Sequence, residues 1–477
     1  MVDLFPFVVT GVVTGCIYAI AAMGLVLTYR TTGLFNFAHG AMGMTVAYAF
    51  YQLRTEWGWP TALSMLVALA VVAPLLGVVI DRLLFRSLEQ ASQASKVVVT
   101  VGLLILLQQM AEIIYGSGSR PVAPFLPQSS IDLGSVQVGY DQLAIIAIAG
   151  LVLGGLTVFL RSSRIGVAMR AVVDDRELVE SAGFSSDRVT MFTWALGVFL
   201  AGLAGILFAP LVELSPIALT LLVVKAYGAA ILGRLVSLPL TLVGGIVIGL
   251  AESLSLKVFE TNAQFVNRLR PSLAFLVLFL VLIVARKGTL RELGVSAAWQ
   301  GIVRGRELSW RGLVVLCGGL VVLTLVLSDT NVFVLGTAIV LACIFLSLTA
   351  LTGTSGLINL GQAALAGTGA FMYIHFTKDW GVPFLPAIVL AGLCVVPMGA
   401  AIAIPALRLP GLFLALATFG FGQLVDGLLF GWIPFSGGQD GLRGTRPSLL
   451  SSDTRYVLFL IVMLAAFLLA IGLLRRS

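Results

Sequence analysis

Long apolar runs separated by short polar segments organise this chain of 477 residues. A helix that crosses a membrane takes about 20 apolar residues, and many of these runs reach that length. The runs near 37–54 and 216–232 are shorter and are predicted to be broken or partial helices. The pattern predicts an all-α polytopic membrane protein with about 14–15 transmembrane helices, some of them broken. The apolar runs lie near residues 5–29, 37–54, 59–80, 95–115, 141–160, 190–211, 216–232, 236–256, 269–286, 311–327, 330–352, 356–376, 383–404, 411–430 and 455–474.

The composition supports the same class. Hydrophobic residues make up 59% of the chain and charged residues 11%, with a mean hydropathy of +1.06, which is too apolar for a water-soluble core. The net charge of +7 is concentrated in short loops, so it indicates membrane orientation and gives no reason to expect nucleic acid. All four cysteines fall inside apolar runs, so we expect neither a disulfide nor a metal framework: Cys16, Cys317, Cys343 and Cys394.

The basic loops give one consistent orientation. If the charged segment 161–188 is cytoplasmic, the basic loop near 82–96, the segment 286–311 and the last two arginines are cytoplasmic as well. The loop 116–140, in which Arg120 and Asp132 leave no net charge, then lies outside. We therefore expect the N-terminus outside the cell and the C-terminus inside.

The segment Arg161–Arg188 is the most charged run of the chain. Its first part has the spacing of a short amphipathic helix, and Asp174 and Asp175 lead into a second short helix that Gly183 can end in a left-handed conformation. A polar helix-turn-helix between two spans suggests a docking surface for a soluble partner. An ordinary cytoplasmic loop would explain the same charges.

A short motif occurs twice, once on each side of the long polar stretch Lys287–Trp310. Thr31–Ala41 can be laid on Thr354–Ala364, and each copy follows a span at its predicted cytoplasmic end. The shared asparagines, Asn36 and Asn359, either satisfy backbone groups where a helix is interrupted or contact substrate. We predict a first block at 1–286, a cytoplasmic linker at 287–310 and a second block at 311–477, with a possible fusion junction between them.

Ionisable residues inside the spans are candidates for a polar pathway, since each costs about 2.5–3.5 kcal/mol to insert. They are Glu112, Lys225, Glu252 and Asp426. Each can instead pair with a neighbour or reach an interface. His39 is open to a ligand-contacting role or to a satisfied hydrogen bond at a helix break. The candidate pathway residues are Asn36, His39, Asn359, Gln362 and Glu112.

Several motifs resemble the two permease subunits of the high-affinity branched-chain amino-acid ABC importers. The first block carries the matches to one subunit: Gly15–Ala19, Gly33–Gly40, Gly166–Val172, Ala201–Gly205 and Ala230–Pro239. The second carries the matches to its partner: Gly356–Ala364, Pro405–Leu412 and Gly437–Leu442. The resemblance implies a first permease followed in one chain by the N-terminal half of the second. The chain ends at Arg475–Ser477, where the second permease would enter its own coupling element, so we expect a truncated second block.

The resemblance also implies partners: two ABC ATPase subunits, a periplasmic solute-binding protein, membrane lipid, and a further permease subunit or the missing C-terminal portion. The location is then a bacterial inner membrane. ATP would bind and be hydrolysed on the partners, so we expect no cofactor, metal or catalytic residue on this chain, which also lacks a phosphate-binding loop. The residues implied to couple to an ATPase subunit are Gly166, Ala168, Met169, Arg170, Ala171, Asp175, Glu177 and Gly183.

Some positions depart from the resemblance. Val167 stands where a basic residue is common, and Gln423 and Asp426 stand where the second permease often has an acidic and a basic residue. Two other classes stay open: a secondary transporter that uses Glu112 or Glu252 for ion coupling, and a channel. The resemblance implies leucine, isoleucine or valine as the substrate, or another amino acid, an amide or urea, as relatives of the family carry.

Overall fold

The computed structural model describes residues 4–88, 91, 93–133, 136–172, 176–258, 272–280, 310–355, 357–406, 411–438, 441–444, 446–447 and 450–474. The chain divides into two compact units, Met1–Ser296 and Ala297–Ser477. Of the predicted linker 287–310, only Trp310 belongs to the described residues. The predicted block boundaries therefore stay predictions.

Where it is described, the first unit is mainly helical, with a short hairpin in the loop before α6. Its helices are α1 (Phe5–Thr32), α2 (His39–Tyr51), α3 (Thr61–Val67), α4 (Ala73–Ile80), α5 (Gln93–Tyr115), α6 (Tyr140–Ser162), α7 (Arg164–Ala171), α8 (Arg176–Ser181), α9 (Ser186–Val212), α10 (Pro216–Thr220), α11 (Leu222–Leu232), α12 (Leu238–Val258) and α13 (272–280). The hairpin pairs β1 (Ser130–Leu133) with β2 (Val136–Gly139) in antiparallel register. A π-helical turn at Ala68–Val72 joins α3 to α4, and further helical turns at residues 81–88 follow α4, so that Thr61–Leu88 forms one continuous span.

The second unit has seven described helices: α14 (Trp310–Val326), α15 (Asp329–Ser355), α16 (Gln362–Lys378), α17 (Phe384–Ala406), α18 (Gly411–Val425), α19 (Ile433–Ser436) and α20 (Asp453–Leu474). Helix α20 packs against α14 and α15 through an aliphatic core that includes Ile339 and Ile461. Helix α16 packs against α17 around Phe376 and Ala391.

In the described part of the chain, ten helices are long and apolar enough to cross a membrane. This result confirms the all-α polytopic class but gives fewer full spans than the predicted 14–15. Three of the other apolar runs form helices that are shorter than the 18 residues required of these ten: α2 has 13 residues, and α14 and α16 have 17 each. The run 216–232 is interrupted at Leu221, as its length suggested. Of the run 269–286, only 272–280 is described.

Helix α1 is the centre of the first unit and packs against α9, α11 and α12. Glycines four residues apart allow α1 and α12 to approach closely: Gly11 and Gly15 face Gly245 and Gly249. A Cβ added at Gly249 would lie 2.2 Å from the carbonyl oxygen of Gly11. Small residues at this spacing are a common means of helix association in membranes, where backbone approach replaces the hydrophobic effect as the source of attraction.

Candidate functional site

Directly after α1, the chain turns back into the interior of the first unit. Gly33, with φ of 65°, ends the helix and donates its N–H to the carbonyl of Tyr29 over 2.8 Å. Nε2 of His39 then lies 3.0 Å from the carbonyl oxygen of Ala21, about three turns before the end of α1. The connecting residues 33–38 are all buried. The first repeat motif thus forms a re-entrant segment, and α2 starts deep inside the bundle.

Asn36 satisfies the backbone at this interruption. Its Oδ1 accepts a hydrogen bond from the N–H of Ala38 over 3.0 Å, and its own carbonyl accepts from the N–H of His39. Asn359 does the same in the second unit, where its Oδ1 accepts from the N–H of Gly361 over 2.9 Å. Ala38 and Gly361 are aligned in the repeat, and so are the residues that begin α2 and α16. The motif therefore builds the same break in both units. Gly356 lies outside the described residues.

The other candidate pathway residues have local partners. The Gln362 side chain accepts from Asn359 and donates to the Ser347 hydroxyl over 2.6 Å. Glu112 accepts from the amides of Gln108 and Gln109, all three on α5. These bonds support the interpretation that the polar residues stabilise their own segments. For His39, the second ring nitrogen, Nδ1, has no hydrogen-bond partner in the described structure.

The start of α2, after the re-entrant segment, meets a second interruption, between α10 and α11. Helices α10 and α11 are separated at Leu221, and the start of α2 lies against this junction. A Cβ at Gly40 would lie 2.2 Å from the carbonyl oxygen of Thr220, so only glycine fits this approach. Discontinuous helices that meet inside the membrane are typical of transporter binding sites.

Lys225, in the first turns of α11, forms a polar cluster with Tyr18 of α1 and Glu252 of α12. Its Nζ donates to the Tyr18 hydroxyl over 2.8 Å and to Oε2 of Glu252 over 3.0 Å. The Tyr18 hydroxyl donates to the same Oε2 over 2.6 Å. The ring centroids of Tyr18 and Phe208 lie 4.8 Å and 5.8 Å from Nζ, close enough for cation–π attraction. Three helices thus hold a closed triangle of polar groups.

The cluster lies at a cavity of about 360 Å³. The cavity is on the side of the bundle where α1 and α6 begin and α9 ends, and it is lined by Thr10, Val13, Thr14, Tyr18, Asp141, Gln142, Phe208, Leu211, Val212, Lys225 and Glu252. The sequence left pathway lining and pairing open for Lys225 and Glu252; in the structure they pair with each other and line the cavity, and their place in a pathway stays a prediction. Tyr18 was missed, although a phenol in the middle of an apolar run needs a hydrogen-bond partner. The five candidate pathway residues do not line this cavity.

The predicted coupling segment consists of α7, α8 and the turn that leads into α9. The Ser163 hydroxyl caps α7 by accepting from the N–H of Gly166 over 2.9 Å. A Cβ at Gly166 would lie 2.4 Å from the carbonyl oxygen of Phe159, so α7 rests tightly on the end of α6. Ala168 and Met169 are also buried. Helix α7 contacts α1 and α9 as well, so these buried residues fix the segment to the spans.

The outer face of the segment is exposed and mixed in chemistry. Arg170, Glu177 and Gly183 are exposed, and Ala171 is half-buried. Gly183 has φ of 87° and ends the turn after α8, as predicted. Asp175 lies outside the described residues. Large apolar side chains on the same segment are also exposed: Ile165, Val167, Leu178 and Phe184. Apolar side chains among charges are what a protein-docking surface requires.

Metal ligation has no support among the described residues, where no three His, Cys, Asp or Glu side chains are grouped to hold an ion.

Comparison with known proteins places this architecture among transport permeases. A family model described as "Branched-chain amino acid transport system / permease component" matches residues 7–286. The permease LivH of Escherichia coli K12 is 30% identical over 294 residues, which are 59% of this chain and 93% of LivH. BraD of Pseudomonas aeruginosa is 30% identical over 294 residues, which are 59% of this chain and 94% of BraD. Both are named high-affinity branched-chain amino acid transport system permease proteins.

A further match involves a different permease. LivM of Escherichia coli K12 is 34% identical over 97 residues, which are 20% of this chain and 23% of LivM, on a separate stretch of the chain. No solved structure matches the chain significantly.

Proposed function

The chain belongs to the family of branched-chain amino acid transport permeases, with a LivH-like permease followed by a LivM-like part, and from this we propose that it is the membrane component of an ABC importer. It is a transport permease and not an enzyme. Its cargo is a branched-chain or related amino acid that a periplasmic binding protein delivers. Two separate ATPase subunits bind and hydrolyse ATP, so this chain itself holds no cofactor. Its membrane is the bacterial inner membrane, with the N-terminus outside and the coupling segment and C-terminus in the cytoplasm.

The observation that carries the ATP-driven part of this proposal is the coupling segment, defined as Arg164–Phe184. It presents exposed apolar side chains between charged ones, and its inner residues are packed on the spans. A secondary transporter has no use for a structured docking surface of this kind. We propose that the segment rests on an ATPase subunit, with Arg170, Glu177 and Gly183 at the contact.

The packing also offers a route from the segment to the cavity. Helix α7 contacts α1, α6 and α9, and α1 and α9 contribute Tyr18 and Phe208 to the cavity wall. When the ATPase subunits close, a push on α7 would tilt α1 and α9 together. Rigid-body rocking of packed helices can then open the cavity to one side of the membrane or the other.

Two substitutions test the docking surface. Arg170→Glu reverses an exposed charge, and Gly183→Val forces a β-branched residue to φ of 87°, where a side chain costs roughly 1–2 kcal/mol or more. We expect both to abolish ATPase activity that depends on the loaded binding protein, while the permease stays folded in detergent. Arg455→Glu, an exposed charge reversal on α20, is the matched control and is expected to leave that activity unchanged.

A pull-down measures docking directly. The chain in detergent, either with the native segment or with residues 161–188 in scrambled order, is mixed with candidate ATPase subunits encoded beside it. We expect binding to the native chain and none to the scrambled one. Equal binding by both forms, or full stimulation of the Arg170→Glu complex by the binding protein, would contradict the assignment.

The second candidate function is an ion-coupled secondary transporter, which the intramembrane carboxylates favour. Glu252 is the stronger coupling candidate because it lies at the cavity, whereas Glu112 bonds to glutamines of its own helix. The two functions differ in their energy source, so the dependence of uptake on ATP decides between them.

A further inference from the structure

A buried ion pair between Lys225 of α11 and Glu252 of α12, beside Tyr18 of α1, is a polar feature that docking to an ATPase leaves unexplained. Tyr18 lies near the middle of α1, so the cluster is at mid-membrane depth. The side chain of Glu252 is 6% exposed and that of Lys225 is 19% exposed. Burying two charges in a membrane costs more than an apolar pair of the same volume, which makes stability a poor reason for their presence.

The cluster has unused hydrogen-bonding capacity at the cavity. An ammonium has three N–H donors, and Lys225 uses two of them, for Tyr18 and for Oε2 of Glu252. Oε1 of Glu252 is buried and lies 3.0 Å from the same ammonium as an ion-pair contact, and it accepts no hydrogen bond from the described residues. The third N–H of Lys225 and Oε1 of Glu252 are therefore the groups that a solute in the cavity would engage once the ion pair opens.

The remaining wall is suited to an aliphatic side chain. Phe208, Leu211 and Val212 of α9 and Val13 of α1 line the cavity beside the polar groups. A volume of about 360 Å³ is at the small end of ligand pockets, which range over about 300–1,000 Å³. The space thus suits a small solute with one apolar part and one polar part.

We propose that Lys225 and Glu252 bind the two charges of an amino acid during translocation: Lys225 takes the α-carboxylate and Glu252 the α-ammonium, with Tyr18 orienting both groups. In the absence of substrate, the two residues neutralise each other. A zwitterion replaces this internal pair with two intermolecular ones, so no net charge is left buried at any stage. A solute with only one of the two charges leaves one protein charge without its partner, which the low dielectric makes costly. This proposal rests on the proposed transport function and names the substrate contacts within it.

Protection from thiol labelling tests occupancy of the cavity. Thr14 lines the cavity, and Gln128 lies in the exposed loop before β1. In a background in which the four native cysteines are replaced by alanine, Thr14→Cys is labelled with a membrane-impermeant maleimide in the assembled complex, and Gln128→Cys serves as the control. At a leucine concentration about ten times the dissociation constant, we expect labelling of Thr14→Cys to slow roughly tenfold and labelling of Gln128→Cys to stay unchanged.

Two analogues test the requirement for both charges. Isocaproate keeps the carboxylate and the aliphatic chain but lacks the amine, and leucinamide lacks the carboxylate. We expect neither to protect Thr14→Cys at the concentration at which leucine does. Equal protection by isocaproate would contradict the role of Glu252, and equal protection by leucinamide would contradict the role of Lys225.

Transport by a charge-free variant completes the test. Lys225→Met with Glu252→Gln removes both charges together, so neither is left unpaired. In a complex that assembles as the wild type does, we expect leucine uptake to fall about tenfold or more, since buried charge contacts to a ligand are lost. If this variant does not assemble, Tyr18→Phe takes its place, with a smaller loss of uptake expected.

The two proposals fail in different ways. Wild-type uptake by the charge-free variant, or by Tyr18→Phe where that replaces it, overturns the site, as does an absence of leucine protection in a complex that transports leucine. An absence of ATP-dependent leucine uptake by the wild-type complex overturns the proposed function instead, whatever the labelling shows.

Discussion

Gly249→Ala tests whether the close approach of α1 and α12 holds the polar cluster together. The new Cβ would lie 2.2 Å from the carbonyl oxygen of Gly11 and 2.5 Å from the backbone nitrogen of Gly15. Both obstacles are backbone atoms and cannot rotate away. Ordinary contact begins at 3.4 Å, so the two helices must separate by about 1 Å. Overpacking of this kind costs about 1–3 kcal/mol.

The same separation affects the site. Glu252 is less than one turn from Gly249 on α12, and its Oε2 lies 2.6 Å from the Tyr18 hydroxyl on α1. An increase of about 1 Å takes this pair beyond hydrogen-bonding distance. We therefore expect Gly249→Ala to lower leucine uptake as well as stability.

Cys16 offers a direct stability assay, because it lies on α1 beside this interface and is 3% exposed. With the other three cysteines replaced by alanine, a thiol-reactive dye reports the temperature at which α1 becomes accessible. Gly155→Ala on α6 is the matched control, since an added Cβ there meets nothing within 4 Å. We expect a lower transition temperature for Gly249→Ala only. Equal transitions for the two variants would refute the packing argument.

Two further predictions concern buried polar groups. Lys225→Met alone leaves the carboxylate of Glu252 without its charge partner, so we expect it to destabilise the protein by about 3–5 kcal/mol. The combined Lys225→Met and Glu252→Gln change removes both charges, and we expect its effect on stability to be nearly neutral. Thermal unfolding in detergent measures both variants. Asn36→Ala leaves the buried N–H of Ala38 without an acceptor, and we expect it to lower the free energy of unfolding by about 1–3 kcal/mol, whereas Asn36→Asp keeps the acceptor oxygen. Equal unfolding temperatures for Asn36→Ala and the wild type would count against the role of Asn36 at the helix break.

The parts of the fold that the sequence predicted depend on local chemistry. Apolar runs of spanning length correspond to helices because each run must satisfy its backbone internally in a membrane. Two runs were predicted to be broken. The run 216–232 is interrupted at Leu221, and the run 37–54 forms α2, which the re-entrant segment precedes. The repeated asparagine motif indicated a helix interruption, and Asn36 and Asn359 make the same hydrogen bond to the backbone two residues on.

The polar cluster depends on packing between distant segments. Tyr18 and Glu252 are 234 positions apart, and they meet because glycines on α1 and α12 allow those helices to touch. The sequence identified Lys225 and Glu252 as costly charges but had no means to pair them. For the coupling segment, the sequence predicted the helices but did not predict which side of them faces the spans. Gly166, Ala168 and Met169 face the spans, and Arg170 and Glu177 face outward.

The energy source for uptake is the measurement that tests the central claim most directly. Vesicles would contain this chain with its ATPase subunits, and the loaded binding protein and radiolabelled leucine would be added outside. The account predicts that uptake requires ATP on the side of the coupling segment and that dissipating proton and sodium gradients leaves it unchanged. Uptake that continues without ATP and stops when those gradients are abolished would contradict the account and establish a secondary transporter.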